Sequence, residues 1–394
     1  MSFLNGKKRI FLDYASTTPV RPEVKRAMEP YLSNDFANPS ALYSEGVHAK
    51  SVVESAREDI AHILGAHKDE IIFTGSGTES ANLAILGAFN AYRGSRPPHF
   101  VFSAIEHPAV KECAKEIERM GGKITTVLPN KEGIISPESI LRALTEQTIL
   151  VSVIYANNEI GVIQPIKEIA KAIRNFSSGK NLTTLFHTDA SQAPSYLSLS
   201  VSELHVDLMT LDASKIYGPK GVGLLYVRRG TSLSPLSFGG GQEKGLRSGT
   251  ENVAGIVGFA EAIRYAALER GSESVRIREL RDYAIKKILT LFPNASLNGS
   301  AVNRLPNNIN ICFPGIDSEF AVLLLDAKGI ATSYASSCRT LSSRSSSYVI
   351  DAIGKSACTS SSLRFTLGRE TKKQDIDALC SILPSVIARA RGSV

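Results

Sequence analysis

The sequence predicts an α/β fold: a mainly parallel sheet of seven strands covered by helices, followed by a smaller α+β unit. Three observations carry this. Seven short, nearly continuous apolar runs alternate with amphipathic stretches up to about residue 227, the pattern of strands buried on both faces. The texture changes after about residue 255, where a long helical stretch leads into a proline-punctuated segment. The chain of 394 residues is 43% apolar and 21% charged, enough for a large core with no need of disorder.

The elements follow in order. Residues 49–65 repeat apolar positions at helical spacing and end at Gly65, a natural left-handed cap. Strands are predicted at 70–74, 100–103, 123–128, 148–154, 183–188, 206–211 and 222–227. Helices are predicted from the Gly75–Thr78 turn through Phe89, and at 108–121, 137–146 and 165–176. Beyond them come a helix over 253–290, a strand over 308–313 and a C-terminal helix over 374–391. Residues 333–347 hold eight serines and few apolar residues; a segment of that kind inside a compact unit points to a mobile, functional loop.

Composition excludes several classes. The 45 Lys and Arg against 38 Asp and Glu leave a net charge of +7, without a basic block suited to nucleic acid. No run is long and apolar enough for a membrane span, and Met1–Ser16 shows no signal-peptide core. The five cysteines, at 113, 312, 338, 358 and 380, have no zinc-site spacing. A sparse, odd set predicts free thiols in a reducing compartment, hence a cytoplasmic protein.

Three segments could carry chemistry. Gly75-Ser76-Gly77-Thr78-Glu79-Ser80 lies between a strand and a helix, so its backbone N–H groups and the helix N-terminus suit a phosphate; an ordinary βα turn would look the same. Asp189 ends an apolar strand, with Gln192 three residues on. At the carboxyl end of a strand it is placed to hold a protonated ring nitrogen, or simply to cap a helix. Lys215 sits in a tight loop between two apolar strands, where an amine can form a Schiff base. Phosphate cradle, ring carboxylate and amine together are what a pyridoxal phosphate enzyme requires.

On these and further motifs the chain resembles the cysteine desulfurases of the NifS/IscS type, within the class V aminotransferase-like, fold-type I pyridoxal phosphate enzymes. The resemblance runs from about Phe11 to Arg389. It is carried by Leu12-Asp13-Tyr14-Ala15-Ser16-Thr17-Thr18, Asn38-Pro39-Ser40, Gly77-Thr78-Glu79-Ser80, Glu106-His107 and Asn157-Asn158-Glu159-Ile160-Gly161. It continues through Asp189-Ala190-Ser191-Gln192, Lys215-Ile216-Tyr217-Gly218-Pro219-Lys220-Gly221, Arg247-Ser248-Gly249-Thr250 and Leu363-Arg364-Phe365-Thr366-Leu367-Gly368-Arg369.

The resemblance implies a large cofactor-binding domain over 17–262 and a small domain formed by 1–16 and 263–394, which carries a mobile cysteine loop at about 333–347. It implies that Lys215 holds the cofactor and moves protons, that Asp189 pairs with the ring nitrogen, and that Gln192 and Asn158 touch the ring hydroxyl side. His107 would stack on the ring, Gly77, Thr78 and Ser214 would bind the phosphate, and Thr250 would reach the phosphate of a partner subunit in a homodimer. Asn38 and Arg364 would hold the carboxylate of L-cysteine, an arginine's planar fork being suited to it.

The nucleophilic cysteine is either Cys338 or Cys358. The string Ser356-Ala357-Cys358-Thr359-Ser360 copies the family's active-loop letters. Spacing favours Cys338, which lies 26 residues before Arg364 and ahead of Ser347-Tyr348-Val349, as the family cysteine does. Arg339 beside it could lower the thiol pKa. Cys113, Cys312 and Cys380 read as buried, unreactive thiols. The implied reaction takes L-cysteine to L-alanine and an enzyme persulfide, whose sulfur passes to an acceptor protein for iron–sulfur cluster assembly or for thiolation of RNA or cofactors. A selenocysteine lyase, another class V enzyme, and a degenerate sulfur-relay scaffold with weak catalysis are the alternatives.

Two departures stand out. Where the family places serine, a small residue and histidine before the lysine, this chain has Asp212-Ala213-Ser214. A carboxylate facing a phosphate dianion is unfavourable, so Asp212 is expected to turn away, to weaken the cofactor, or to mark a diverged site. The chain also ends at Val394 without the extended tail that helps family members dock a scaffold.

Overall fold

The computed structural model describes residues 9–180, 182–334 and 346–391. The central sheet has seven strands: β1 (Ile71–Thr74), β2 (His99–Ser103), β3 (Lys123–Val127), β4 (Thr148–Ser152), β5 (Leu185–Asp189), β6 (Leu208–Asp212) and β7 (Gly223–Val227). Their spatial order is β1-β7-β6-β5-β4-β2-β3. Neighbours from β3 to β6 run parallel, while β7 is antiparallel to both β6 and β1. The reason is the connection. Parallel neighbours need a long crossover, whereas β6 returns to β7 through a short loop without an α-helix. Lys215 lies in that loop, at the carboxyl end of β6.

Strand alternation sends side chains to two covered faces. Phe73, Val101, Val151, Phe186, Met209 and Leu224 pack with helix α2 (Ser44–Leu64), helix α6 (Ile166–Ser178) and the start of helix α7 (Val253–Leu291). Their neighbours Ile72, Phe100, Phe102, Leu150, Leu208 and Leu225 pack with α3 (Gly77–Ala91) and α4 (Pro108–Arg119). Helices α1 (Pro22–Met28) and α5 (Pro137–Ala143) begin with proline at their first turn, where no N–H partner is lost. The expected cap of α2 is present, since Gly65 is left-handed at φ 64°. That helix begins five residues before the expected start, because its first turn is mostly exposed and has no apolar period.

A second core surrounds a three-stranded antiparallel sheet, β8 (Ser296–Leu297), β9 (Asn308–Cys312) and β10 (Ser362–Thr366), in the order β10-β9-β8. Helices α8 (Ser318–Ala327) and α10 (Lys373–Arg391) cover it, with the short α9 (Tyr348–Ala352) alongside. Leu12 is buried in this second core, and Ile10–Phe11 pairs in parallel with Ile330–Ala331. Helix α7, 39 residues long, serves both cores: Ile256, Phe259 and Ile263 in the first, Ile277, Ala284 and Ile288 in the second.

One buried ion pair ties a surface loop to the sheet. Arg57 of α2 meets Glu243 at 2.7 Å, and the same carboxylate accepts the Phe73 N–H at 2.8 Å. Breaking such a pair from one side leaves a buried charge unmatched. Glu243→Ala is therefore expected to lower stability by about 3–5 kcal/mol in urea unfolding; a loss within 1 kcal/mol would mean that the site relaxes to admit water.

The expectation of free thiols needs correction. Cys312 and Cys358 form a disulfide, with Cα atoms 5.4 Å apart. Cys312 ends β9 opposite Ser362 of β10, and the turn Ser356–Cys358 folds back over that strand end. Their sequence separation of 46 conceals this proximity. Cys113 and Cys380 are buried and free as expected, and burial pushes the Cys113 thiol up to about 12.

Candidate active site

A cleft opens beyond the carboxyl ends of β4, β5 and β6, where α/β sheets hold their ligands. It is lined by Gly77 and Thr78 from the start of α3, His107, Asn158, Asp189, Gln192, Asp212 and Lys215, with Ser16 and Arg364 closing it from the other core. Most of the expected site residues thus meet in one place, although they are scattered over almost 290 positions of sequence.

Each is positioned by its element. Asp189 is the last residue of β5, nearly buried, and its Oδ1 accepts the Ser191 N–H at 3.0 Å and the Ser191 hydroxyl at 2.7 Å. Two donors on one oxygen fix the orientation of the carboxylate. The Lys215 ammonium is half-buried and donates to the Ser16 carbonyl. Gln192 donates to the Ala15 carbonyl at 2.9 Å. His107 caps α4, its Nδ1 accepting the Ala109 N–H at 3.2 Å, which places the proton of a neutral imidazole on Nε2.

Arg364 comes from β10, so its position depends on the second core. It is 1% exposed. Its Nη1 donates to the Asn158 carbonyl at 2.9 Å, and its Nη2 to Asp13 Oδ1 at 2.7 Å and Ser16 Oγ at 2.9 Å. Its buried Nε has no partner among the described residues, an unsatisfied donor that calls for an acceptor.

Behind the cleft lies Glu106, fully buried, with Oε1 accepting from Ser103 and from the Ile154 N–H at 2.7 Å, and Oε2 without a partner. Burial pushes this carboxyl up to about 8, so at neutral pH it carries a proton. Nearby His187, held between Ser152 and Thr210, is pushed down to about 4 by burial and stays neutral. Glu106 ionises near 4.5 in the unfolded chain and near 8 in the folded one. Between these values the folded chain holds the extra proton, so stability is fully present below about 4.5 and falls as pH rises toward 8, by up to about 1.4 kcal/mol per pH unit. Glu106→Gln is expected to flatten this part of the profile of melting temperature against pH; an unchanged slope would contradict it.

Three expectations about the site fare differently. Asn38 is exposed, outside the cleft, its Oδ1 accepting the Ser40 N–H at 2.9 Å. Thr250 is also exposed and outside the cleft. Ser214 is turned to its neighbour, with N–H and hydroxyl donating to Asp212 Oδ1 at 2.8 and 2.6 Å. Asp212 itself does not turn away: its Oδ2 accepts the Gly77 N–H at 2.9 Å. Cys338 and Arg339 lie outside the described residues. Cys358 is half-buried and committed to its disulfide.

The residues fit pyridoxal phosphate at the amine and ring: a lysine and a braced carboxylate face one cleft, and a helix N-terminus points into it. The turn before that helix is closely packed. A Cβ on Gly223 would lie 2.3 Å from the Ser76 carbonyl carbon, so only glycine lets the Gly75–Thr78 turn rest on β7. Sequence reasoning missed Asp13 and Ser16 as partners of Arg364, although both stand in the first quoted motif. It also missed Ser191 as the brace of Asp189 and Glu106 as a buried carboxyl, although both stand in quoted motifs.

The chain as a whole is similar to known proteins. The chain is 43% identical over 386 residues to a cysteine desulfurase IscS of Dictyoglomus turgidum, covering 98% of this chain and 96% of that one. Among solved structures, a NifS-like protein superposes with a TM-score of 0.89 at 31% identity, over 97% of this chain and 100% of the other. SspA in complex with cysteine superposes with a TM-score of 0.78 at 34% identity, over 91% and 99%. The family model for aminotransferase class-V matches residues 10–379. The chain belongs to the aminotransferase class-V family.

Proposed function

We propose that the chain is a pyridoxal phosphate-dependent cysteine desulfurase that converts L-cysteine to L-alanine and leaves the sulfur as a persulfide on Cys338. The observation that carries this is the meeting of Lys215, Asp189 and Arg364 in one cleft, in a chain similar over nearly its full length to cysteine desulfurases.

When bound, the cofactor supplies an electron sink for charge developing on the substrate carbon. The chain's own residues do the rest. Asp189 keeps a proton on the ring nitrogen. The Lys215 amine holds the cofactor and then carries protons to and from the substrate carbons. Arg364, locked by Asp13 and Ser16, binds the substrate carboxylate and so fixes which bond is aligned for reaction. His107 flanks the ring and Asn158 and Gln192 line its hydroxyl side. The Cys338 thiolate attacks the substrate sulfur, the C–S bond breaks, the carbon takes up a proton, and one sulfur is transferred intact. Cysteine plus enzyme thiol thus yields alanine plus enzyme persulfide. An acceptor protein then takes the sulfur, toward iron–sulfur cluster assembly or thiolation.

Cys338 and Cys358 are separated by a persulfide assay. Cys338→Ser is expected to abolish alanine and sulfide formation, whereas Cys358→Ser retains both, since its sulfur is already bonded to Cys312. Retention in the first variant and loss in the second would exchange the two roles.

We further propose that the active unit is a homodimer. Leu32, Phe36, Leu42, Tyr43 and Val47 are exposed on one stretch of chain that includes Asn38, and Phe238 is exposed in the loop leading to Thr250. Contiguous exposed apolar residues mark an interaction surface. Burying this stretch against a second copy would cover Asn38 as well. Phe36→Asp is expected to halve the mass measured by light scattering and to lower activity at least tenfold. A wild-type chain that is monomeric at micromolar concentration and fully active would refute the dimer. No helix among the described residues is long and apolar enough to cross a membrane.

A second reading, a sulfur-relay scaffold with little turnover, is favoured by the Asp212 carboxylate on the Gly77 N–H. A purified protein that stays colourless after incubation with pyridoxal phosphate would support it.

A further inference from the structure

The phosphate end of the cleft already contains an anion. Asp212, the last residue of β6, places Oδ2 at 2.9 Å from the Gly77 nitrogen, the first residue of α3. Its Oδ1 takes the Ser214 N–H at 2.8 Å and the Ser214 hydroxyl at 2.6 Å. Three donors therefore hold the carboxylate at the helix N-terminus, where a phosphate group gains most. The packing is close: a Cβ on Gly77 would lie 3.0 Å from the Asp212 Cβ and 3.3 Å from the Ser191 hydroxyl. The carboxylate therefore stands in the cradle and not beside it.

The surrounding charges are named readily. Lys215 lies on the same connection, Asp189 ends β5, His107 starts α4 and Arg364 enters from β10, all lining the cleft with Asp212. Glu79, on the first turn of α3, is paired with Arg247 at 3.0 Å and also accepts the Gly75 N–H. Arg247 is thus committed to a carboxylate already. Lys215 and Asp189 are assigned to the amine and ring of the cofactor. The phosphate end is left with backbone N–H groups, hydroxyls and a carboxylate.

We propose that Asp212 sets this chain's preference for the cofactor's phosphate: the phosphate is taken up together with one proton from solvent, held between a phosphate oxygen and Asp212. This rests on the pyridoxal phosphate reading. Two anions on one N–H repel each other in a site of low dielectric constant, and one shared proton turns that repulsion into an O–H···O hydrogen bond. Cofactor loading is then linked to pH through a residue of the cradle. The affinity of the wild-type chain for pyridoxal phosphate falls as pH rises above the range in which free aspartate ionises.

The test compares wild type, Asp212→Asn and Asp212→Ser as apoproteins, titrated between pH 6 and 8.5 with pyridoxal phosphate and, separately, with pyridoxal. Binding is read from the visible absorbance of the bound cofactor; the chain contains no tryptophan to complicate optical readouts. The dissociation constant of wild type for pyridoxal phosphate is expected to rise more steeply with pH than that of Asp212→Asn, by up to about tenfold per unit. At pH 8 both variants bind pyridoxal phosphate at least tenfold more tightly than wild type, while pyridoxal binds all three within about twofold. Equal slopes and equal affinities, or weaker phosphate binding in both variants, would overturn the inference and leave Asp212 as a brace for the turn. Asp212→Asn keeps an oxygen for Gly77 and so guards against a folding defect. Failure of both cofactors to give a visible band with any of the three proteins would instead overturn the underlying pyridoxal phosphate reading.

Discussion

Lys215→Ala is expected to yield a colourless protein with desulfurase activity reduced at least about 10³-fold, since covalent attachment and proton transfer are lost together. The measurement is alanine formation from L-cysteine alongside the visible spectrum of the purified protein. Folding is expected to persist, because the one hydrogen bond given up, to the Ser16 carbonyl, is worth about 1 kcal/mol. A melting temperature within a few degrees of wild type would show that chemistry and not structure was removed. Retention of a tenth of the activity would refute the assignment of Lys215.

The second large effect concerns Arg364. Its guanidinium is almost wholly buried, bonded to Asp13, Ser16 and Asn158, and its Nε remains unpartnered. Arg364→Lys keeps the charge beside Asp13 but loses the fork, so it is expected to raise KM for cysteine about 10²-fold with a smaller change in kcat. Arg364→Leu removes the partner of Asp13 as well and is expected to destabilise the fold by about 3–5 kcal/mol. A Lys variant with unchanged KM would place the substrate carboxylate elsewhere in the cleft.

The contrast between these two residues explains what the sequence made legible. Lys215 and Asp189 sit at the carboxyl ends of apolar strands, so the same pattern that predicts the sheet also predicts where they point. Arg364 has no such local signal. Only the β9–β10 pairing and the contact with Asp13 place it, and those contacts span up to 351 residues. Asp13 and Ser16 were visible as letters of a motif but not as its braces. Asn38 and Thr250 were equally visible as motif residues, yet both lie outside the cleft of the single chain. Asp212 was flagged by its charge, and the structure supplied the donor it faces. The Cys312–Cys358 bond was illegible because cysteine count and spacing say nothing about a turn folding over a strand end.

The sheet and helices were more legible than their boundaries. Seven apolar runs became seven strands, each within a few residues of its expected span. Helix α2 began earlier than expected, since an exposed first turn leaves no periodic trace.

Helix α7 limits how this protein can be divided. At about 1.5 Å per residue it is a rod nearly 60 Å long, with one half dissolved in each core. A genetic cut near residue 262 would not fall in a linker. It would sever a continuous hydrogen-bonded ladder and strip each fragment of a helix that its core needs. Neither half is then a transplantable module. A chimera exchanging the second core with that of a relative would have to place its junction in loops flanking the rod and carry the whole rod with one parent.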